Sequence, residues 1–388
     1  MADSASTIKV ALASEETFAA LQEPWSGLLA RSPAASPMLT WEWVYSWWEA
    51  YREHEVSRTF YLLIARDGRD ELKGVLPLVL RSARSLGVTV SRLEFMGTGE
   101  PFDDETCSEF LDALVDPDSC DAVLQAFADY LASDPSWDEI LWRDVADSSP
   151  GAAAQRMALL LDRSAGSSVR HTKAGACPRI LLPESWDAYM GQLTPKRAKR
   201  IAYERRRLGR DHDVRFRVAK GADASESLAD FRDLHQSLWQ SRGKKGCFSS
   251  SVFDRFLTSY TQQAWESGNV RVCCLDVDGE PLAVFYAMSH GKGLYYYNSG
   301  VVPDRFERYS LGNIALGHMI EYAIEQGYRE FHFFKGNPAS YKQHWASGSV
   351  GVSDILIRRG RPHMLLLEGF ERGRRVIRAV RNRKQGNS

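Results

Sequence analysis

Apolar residues first recur at helical spacing in TWEWVYSWWEAY, where Trp41, Val44, Tyr45 and Trp48 share one face behind the N-cap Thr40. TFYLLIARDGRDELKGVLPLVL then reads as a strand, an Asp67-Gly68 turn and a second strand. DAVLQAFADYLASDPSWDEILWRDV supplies a helix and one more strand. The second half of the chain repeats this order. VRVCCLDVDGEPLAVFYAMSH is a hairpin about Asp278-Gly279, and LYYYNSGV (294–301) is a third strand. Leu311, Ile314, Ala315, His318, Met319, Tyr322 and Ala323 then mark a helix that stops at Gly327, and Phe331–Phe334 forms the last strand. A period this long is no solenoid, so it reads as the duplication of one α/β unit. The fold class expected is α/β (α+β): two tandem domains, each a mixed β-sheet covered by helices.

The segments 146–155 and 164–178 are small, polar and poor in aromatics, with a helix over 152–163 between them. They divide the chain into an N-terminal domain (1–150), a connector with a short helix (151–178), a C-terminal domain (179–350) and a basic C-terminal tail (351–388).

Composition narrows the class. With 388 residues, 44% hydrophobic and 26% charged, the chain has room for two cored domains. It opens without a basic segment followed by an apolar one, and holds no uncharged apolar run of about 20 residues, so a cytoplasmic protein is expected. The six cysteines are scattered without ligand spacing and read as free thiols rather than a metal site. A net charge of −1 conceals a polarity: residues 1–150 hold 11 Lys+Arg against 27 Asp+Glu, and the remainder 38 against 23. An anionic ligand is therefore expected to meet the C-terminal half.

The charge is densest in TPKRAKRIAYERRRLGR (194–210), a helix begun by Thr194-Pro195 with eight basic residues and one acid, Glu204. It reads either as a solvated face or as a surface for an anionic partner: CoA phosphates, an acidic glycan, a lipid head group or tRNA. The tail places Met364–Leu367 and Phe370 ahead of Arg-rich turns. That pattern fits a docked helix with a basic end, or a surface helix against anionic lipid.

Several stretches together resemble a known family. SPMLTWEWVYSWWEAY, GVLPLVL, LHQSLWQSRGKKGCF, LYYYNSGVVPDRFERYSLG and FHFFKGNPASYKQHW, with the basic helix, are similar in order and spacing to the GNAT acyltransferase fold, duplicated as in Fem-type transferases. More specifically they resemble the cellulose-biosynthesis-associated (CelD/BcsL-type) acetyltransferases, over about residues 36–346. Two departures stand out. His332 occupies a position where this family is expected to carry Asp, and the diphosphate signature survives only as Arg308-Tyr-Ser-Leu-Gly312.

The resemblance implies acetyl-CoA or another acyl-CoA as co-substrate, no metal, and direct N- or O-acyl transfer to a sugar or glycan acceptor in polysaccharide or cell-envelope assembly. It makes the C-terminal domain catalytic and the N-terminal one a degenerate copy that shapes the acceptor cleft. Asn298-Ser299-Gly300 reads as a bulge where strand pairing opens. Ser310 reads as the N-cap of a helix whose amides take a diphosphate, with Arg308, Tyr309 and Gly312 beside it. Lys335 and Lys342 would face phosphates, and Tyr341 stands where such enzymes often place the acid that protonates the departing thiolate. His332 and His235 are the candidate bases, and Tyr297 a candidate hydroxyl; a packed core role is the simpler reading of His235. Nucleic acid is not the expected partner, and the oligomeric state is open. An aminoacyl-tRNA-dependent Fem-like transferase and a non-catalytic scaffold of the same fold remain the alternatives.

Overall fold

The computed structural model describes residues 7–34, 36–54, 58–147, 152–163, 167–221, 223–303, 306, 308–336, 341–371 and 374. In the first half, β1 (Lys9–Leu12) is followed by the helices α1 (Glu15–Ala19), α2 (Gln22–Arg31) and α3 (Trp41–Tyr51). The hairpin β2 (Arg58–Arg66) and β3 (Leu72–Ser85) leads to β4 (Val88–Phe95) and the short β5 (Leu114–Val115). Then come α4 (Cys120–Ser133), β6 (Glu139–Ala146), α5 (Ala153–Asp162) and β7 (Ser167–Leu181).

The second half opens with α6 (Trp186–Gln192) and the basic α7 (Pro195–Asp211), which Thr194 caps through the Arg197 amide. From β8 (Val214–Val218) onward the first-half order returns. Helices α8 (Asp223–Ser241) and α9 (Ser251–Glu266) precede the hairpin β9 (Val270–Val277) and β10 (Glu280–His290). β11 (Gly293–Val301), α10 (Leu311–Glu325), β12 (Glu330–Phe333) and β13 (Gly348–Arg359) complete it, and a helix α11 covers 362–371.

Both expected hairpins are present, with Asp67 accepting from the Arg69 and Glu71 amides and Asp278 adopting φ 53° at its turn. Each half also closes on a parallel pair: β4 with β6, and β11 with β12. The duplication is thus visible in topology as two GNAT-like halves.

The halves do not end where the sequence suggests. β7 pairs with β12 of the second half, β13 pairs with β6 of the first, and β7 and β13 pair with each other over twelve positions. One sheet therefore runs β1-β2-β3-β4-β6-β13-β7-β12-β11-β10-β9-β8, with β5 on β3. Residues 167–178, expected in a connector, and 351–359, expected in a tail, are central strands of that sheet. β7 escaped notice because its residues are mostly half-buried or exposed on both faces, which erases the period-2 signal. β13 carries register shifts near Ser353 that put its apolar residues out of phase.

Two apolar cores flank the sheet. One joins the first half to α8 and α9: Trp43 on α3 packs edge-on against Phe256 and Tyr260 of α9, at 4.8 and 4.9 Å. This explains why α3 is buried almost all round rather than on one stripe. The other core lies between α7, α10 and the opposite face of β9–β12.

Candidate active site

The parallel pair β11–β12 lasts only from Gly293–Tyr296 against Glu330–Phe333. β12 then stops while β11 runs on to Val301, so the strands part and backbone faces open space. A register shift between Tyr286 and Ala287 places the bulge at Tyr297, next to the expected Asn298-Ser299-Gly300. Asn337-Pro338, a pair that suits a strand end because proline lacks an amide donor, lies outside the described residues. The opening is a cavity of about 730 Å3 lined on one side by Tyr296, Asn298 and Ser299, and on another by Tyr309–Asn313 at the start of α10. Tyr341 and Lys342 close a third side, and Trp239 and Arg242 from the end of α8 a fourth.

Hydroxyl groups chain along its wall. Tyr296 Oη stands 3.1 Å from Tyr341 Oη and 2.7 Å from Ser299 Oγ. Desolvation pushes both phenols above their ordinary value, so each is protonated at neutral pH and able to donate. Lys342 Nζ donates to the Phe334 carbonyl at 3.2 Å and lies 5.6 Å from the Tyr296 ring centroid; burial lowers its pKa. The sequence singles out Tyr297 rather than Tyr296. Period-2 alternation turns the Tyr297 hydroxyl to the other face and leaves that of Tyr296 in the cavity.

At the mouth, Tyr309 donates to Asp211 at 2.7 Å while its ring lies between the guanidiniums of Arg207 and Arg308, at 5.1 and 4.9 Å. Ser310 is the N-cap residue of α10, as expected, but its side chain makes no capping hydrogen bond: its hydroxyl donates to Glu204 at 3.3 Å instead. The first turn of α10 therefore meets the cavity with its positive dipole end uncapped by Ser310. A Cβ at Gly312 would meet only Val301, at 3.7 Å, so this glycine marks open space. Gly300 differs. A Cβ there would fall 2.4 Å from the His235 amide nitrogen and 2.7 Å from Leu234 Cβ, so it lets α8 cross β11.

Ser299, Tyr309, Ser310, Gly312, Tyr341 and Lys342 are thus brought together, with Arg308 at the rim. Tyr297 also lines the cavity, but its hydroxyl turns away and donates to the Thr106 carbonyl at 2.8 Å across the seam between the halves. The remaining expected site residues stand elsewhere. His332 stacks on Tyr295 at 4.4 Å, packs on Phe110 of the first half and bonds Glu330 at 2.7 Å. Its face of the sheet is a second core, not a cleft. His235 is buried among Phe231, Trp239 and Phe248, with its pKa lowered to about 4 by burial. Lys335 Nζ is paired with Asp144 on the first-half side, at 2.5 and 2.6 Å.

Lys335 belongs to a second cleft, of about 500 Å3, where β4 and β6 part in the first half. Gly97, Gly99, Glu100, Glu105, Glu109 and Arg143 line it. Burial holds Glu100 and Glu109 at about 7. The run Gly97-Thr98-Gly99, with φ of 96° and 82° at its glycines, was the sequence signal that could have found it. Among the described residues no group of three His, Cys, Asp or Glu side chains could hold a metal ion. No described helix is long and apolar enough to cross a membrane.

Residues 195–343 match a family model described as an acetyltransferase (GNAT) domain. No curated protein is significantly similar to the chain. Among solved structures, FemX is similar with a TM-score of 0.59 at 11% identity, covering 93% of this chain and 100% of that one. The C-terminal domain of a putative lysylphosphatidylglycerol synthetase from Agrobacterium fabrum gives 0.52 at 11%, covering 91% and 95%. A conserved protein of unknown function from Bacteroides thetaiotaomicron gives 0.51 at 10%, covering 91% and 100%. The fold is GNAT-like across both halves.

Proposed function

We propose that the chain, whose residues 195–343 match a GNAT acetyltransferase domain, is an acyl-CoA-dependent N- or O-acyltransferase working from the second-half cavity. The observation that carries this reading is the parting of β11 and β12 beside the uncapped start of α10, with a protonated tyrosine at the gap. Unpaired strand backbone suits an extended pantetheine arm, and the helix start with Arg207 and Arg308 suits its diphosphate.

Transfer is direct. The acceptor nitrogen or oxygen forms a bond to the thioester carbonyl carbon, and the carbon–sulfur bond breaks. Tyr341 donates its proton to the departing thiolate. The proton that the acceptor nitrogen or oxygen gives up passes along Ser299 and Tyr296 to reprotonate Tyr341, so thiol and acylated acceptor leave with no net change in the site. The first half approaches the cavity wall at Tyr297, whose hydroxyl donates to the Thr106 carbonyl, and the acceptor is assigned to that side. A sugar or glycan acceptor in polysaccharide or cell-envelope assembly, and a place among CelD/BcsL-type acetyltransferases, follow from the motif resemblance.

Thiol release from acetyl-CoA in the presence of glycan amines tests the reading. Tyr341→Phe is expected to lower kcat about a hundredfold while leaving donor affinity within about twofold. Unchanged kcat would remove Tyr341 from the mechanism, and no thiol release by the native chain with any acyl-CoA would remove the donor class.

A further inference from the structure

α11 presents its faces in the reverse of the usual order for a helix at a water surface. Its inward side is anchored by polar groups as well as apolar ones. Met364 and Leu367 form a small buried cluster with Val90 of β4. Glu368 accepts from Ser168 at 2.9 Å, and Glu371 takes both terminal nitrogens of Arg358 at 2.8 Å. At its start, Arg361 and His363 both sit on Asp138, at 2.6 and 3.1 Å. Between 362 and 371 each ionisable side chain, His363, Glu368 and Glu371, is therefore held against the protein.

The outward side holds Pro362, Leu365, Leu366, Gly369 and Phe370 and no charge. Leu365, Leu366 and Phe370 are 58%, 65% and 62% exposed and fill three of the five outward positions of one short helix. Leu86, at the tip of the β3–β4 hairpin and four residues from Val90, is also exposed. Water alone gives no reason to turn acids inward and leucines outward. The sequence that follows decides what covers them: residues 372–388 contain seven Arg and Lys and no Asp or Glu. An apolar face continued by a purely cationic stretch matches an anionic bilayer, which offers acyl chains beneath negative head groups.

We propose that α11 docks the protein in the plane of an anionic membrane, seating Leu365, Leu366 and Phe370 at the acyl boundary while the following basic residues meet the head groups. This surface is independent of the acyl-transfer reading. It is tested by co-sedimenting the full chain with phosphatidylcholine vesicles made with and without phosphatidylglycerol. The native chain binds the anionic vesicles and not the neutral ones, and high salt releases it. The triple substitution Leu365→Ser, Leu366→Ser and Phe370→Ser weakens binding at least about tenfold, since its apolar contact is gone. Arg378→Gln, Arg381→Gln and Arg383→Gln together, at sequence positions beyond 371, weaken it about a hundredfold, at roughly 1 kcal/mol per charge. Equal binding to neutral vesicles, no binding, or binding indifferent to both sets of substitutions overturns the proposal. A dimer that the leucine substitutions dissociate, seen by sedimentation equilibrium, would assign the face to a second copy and also overturn it.

Discussion

Gly300, near the end of β11, and Gly312, in the first turn of α10, lie twelve residues apart and look interchangeable in the sequence, yet they carry different physics. Gly300 is a packing requirement, because the backbone of α8 occupies the place of its missing side chain. Gly300→Ala is expected to destabilise the fold by about 1–3 kcal/mol, read as a lowered urea midpoint. An unchanged midpoint would mean that α8 does not lie this close to β11. The histidines teach the converse lesson. His332 and His235 were candidates by residue type, but both are enclosed by aromatic rings. Residue type is legible in a sequence; the side of a strand that faces a cleft is legible only when one face is known to be bare. Here both faces of the sheet are cored.

At the scale of elements, α7 shows how a charge run is consumed in part by structure. Arg197 lies over Trp345 at 4.9 Å, and Arg205 lies over Trp186 while bonding His318 and Glu321. Arg200 pairs with Glu204, and Arg207 covers Tyr309. Arg197, Arg205 and Arg207 are thereby folded against the protein, while Lys196, Lys199, Arg200, Arg206 and Arg210 stay exposed. The first-half carboxylates behave differently. Asp112 accepts from the amides of Ala153 and Ala154 at the start of α5, and burial holds it at about 7, as it does Glu100 and Glu109. A carboxyl whose folded pKa lies above its unfolded value of about 4 binds its proton more tightly when folded, so stability falls as pH rises from about 4 to about 7 and levels off above. Thermal melts across that range are expected to show this fall, and Asp112→Asn to flatten it by about one group's share. A melting temperature that rises with pH between 5 and 7 would contradict these assignments.

For the whole molecule, the duplication was legible because each copy keeps its Asp-Gly hairpin and the helix and strand that follow it; the first half's β4 was not read from the sequence. The exchange of β7 and β13 was not, because strand pairing between distant segments leaves no mark in local periodicity. That exchange binds the halves into one sheet, and one continuous core runs from Phe18 on α1 to Ile357 on β13. Calorimetric unfolding is therefore expected to give a single transition whose van't Hoff and calorimetric enthalpies agree, where two separable domains would give two.

The central claim is that the second-half cavity, and not its first-half counterpart, takes the acyl donor. Isothermal titration of acetyl-CoA tests it most directly, comparing the native chain with Gly312→Leu, whose side chain would fill the open space at the start of α10. One donor is expected to bind the native chain, and the substitution to weaken binding at least about tenfold while the melting temperature of the free protein holds. Binding of the same strength in both proteins would contradict the claim.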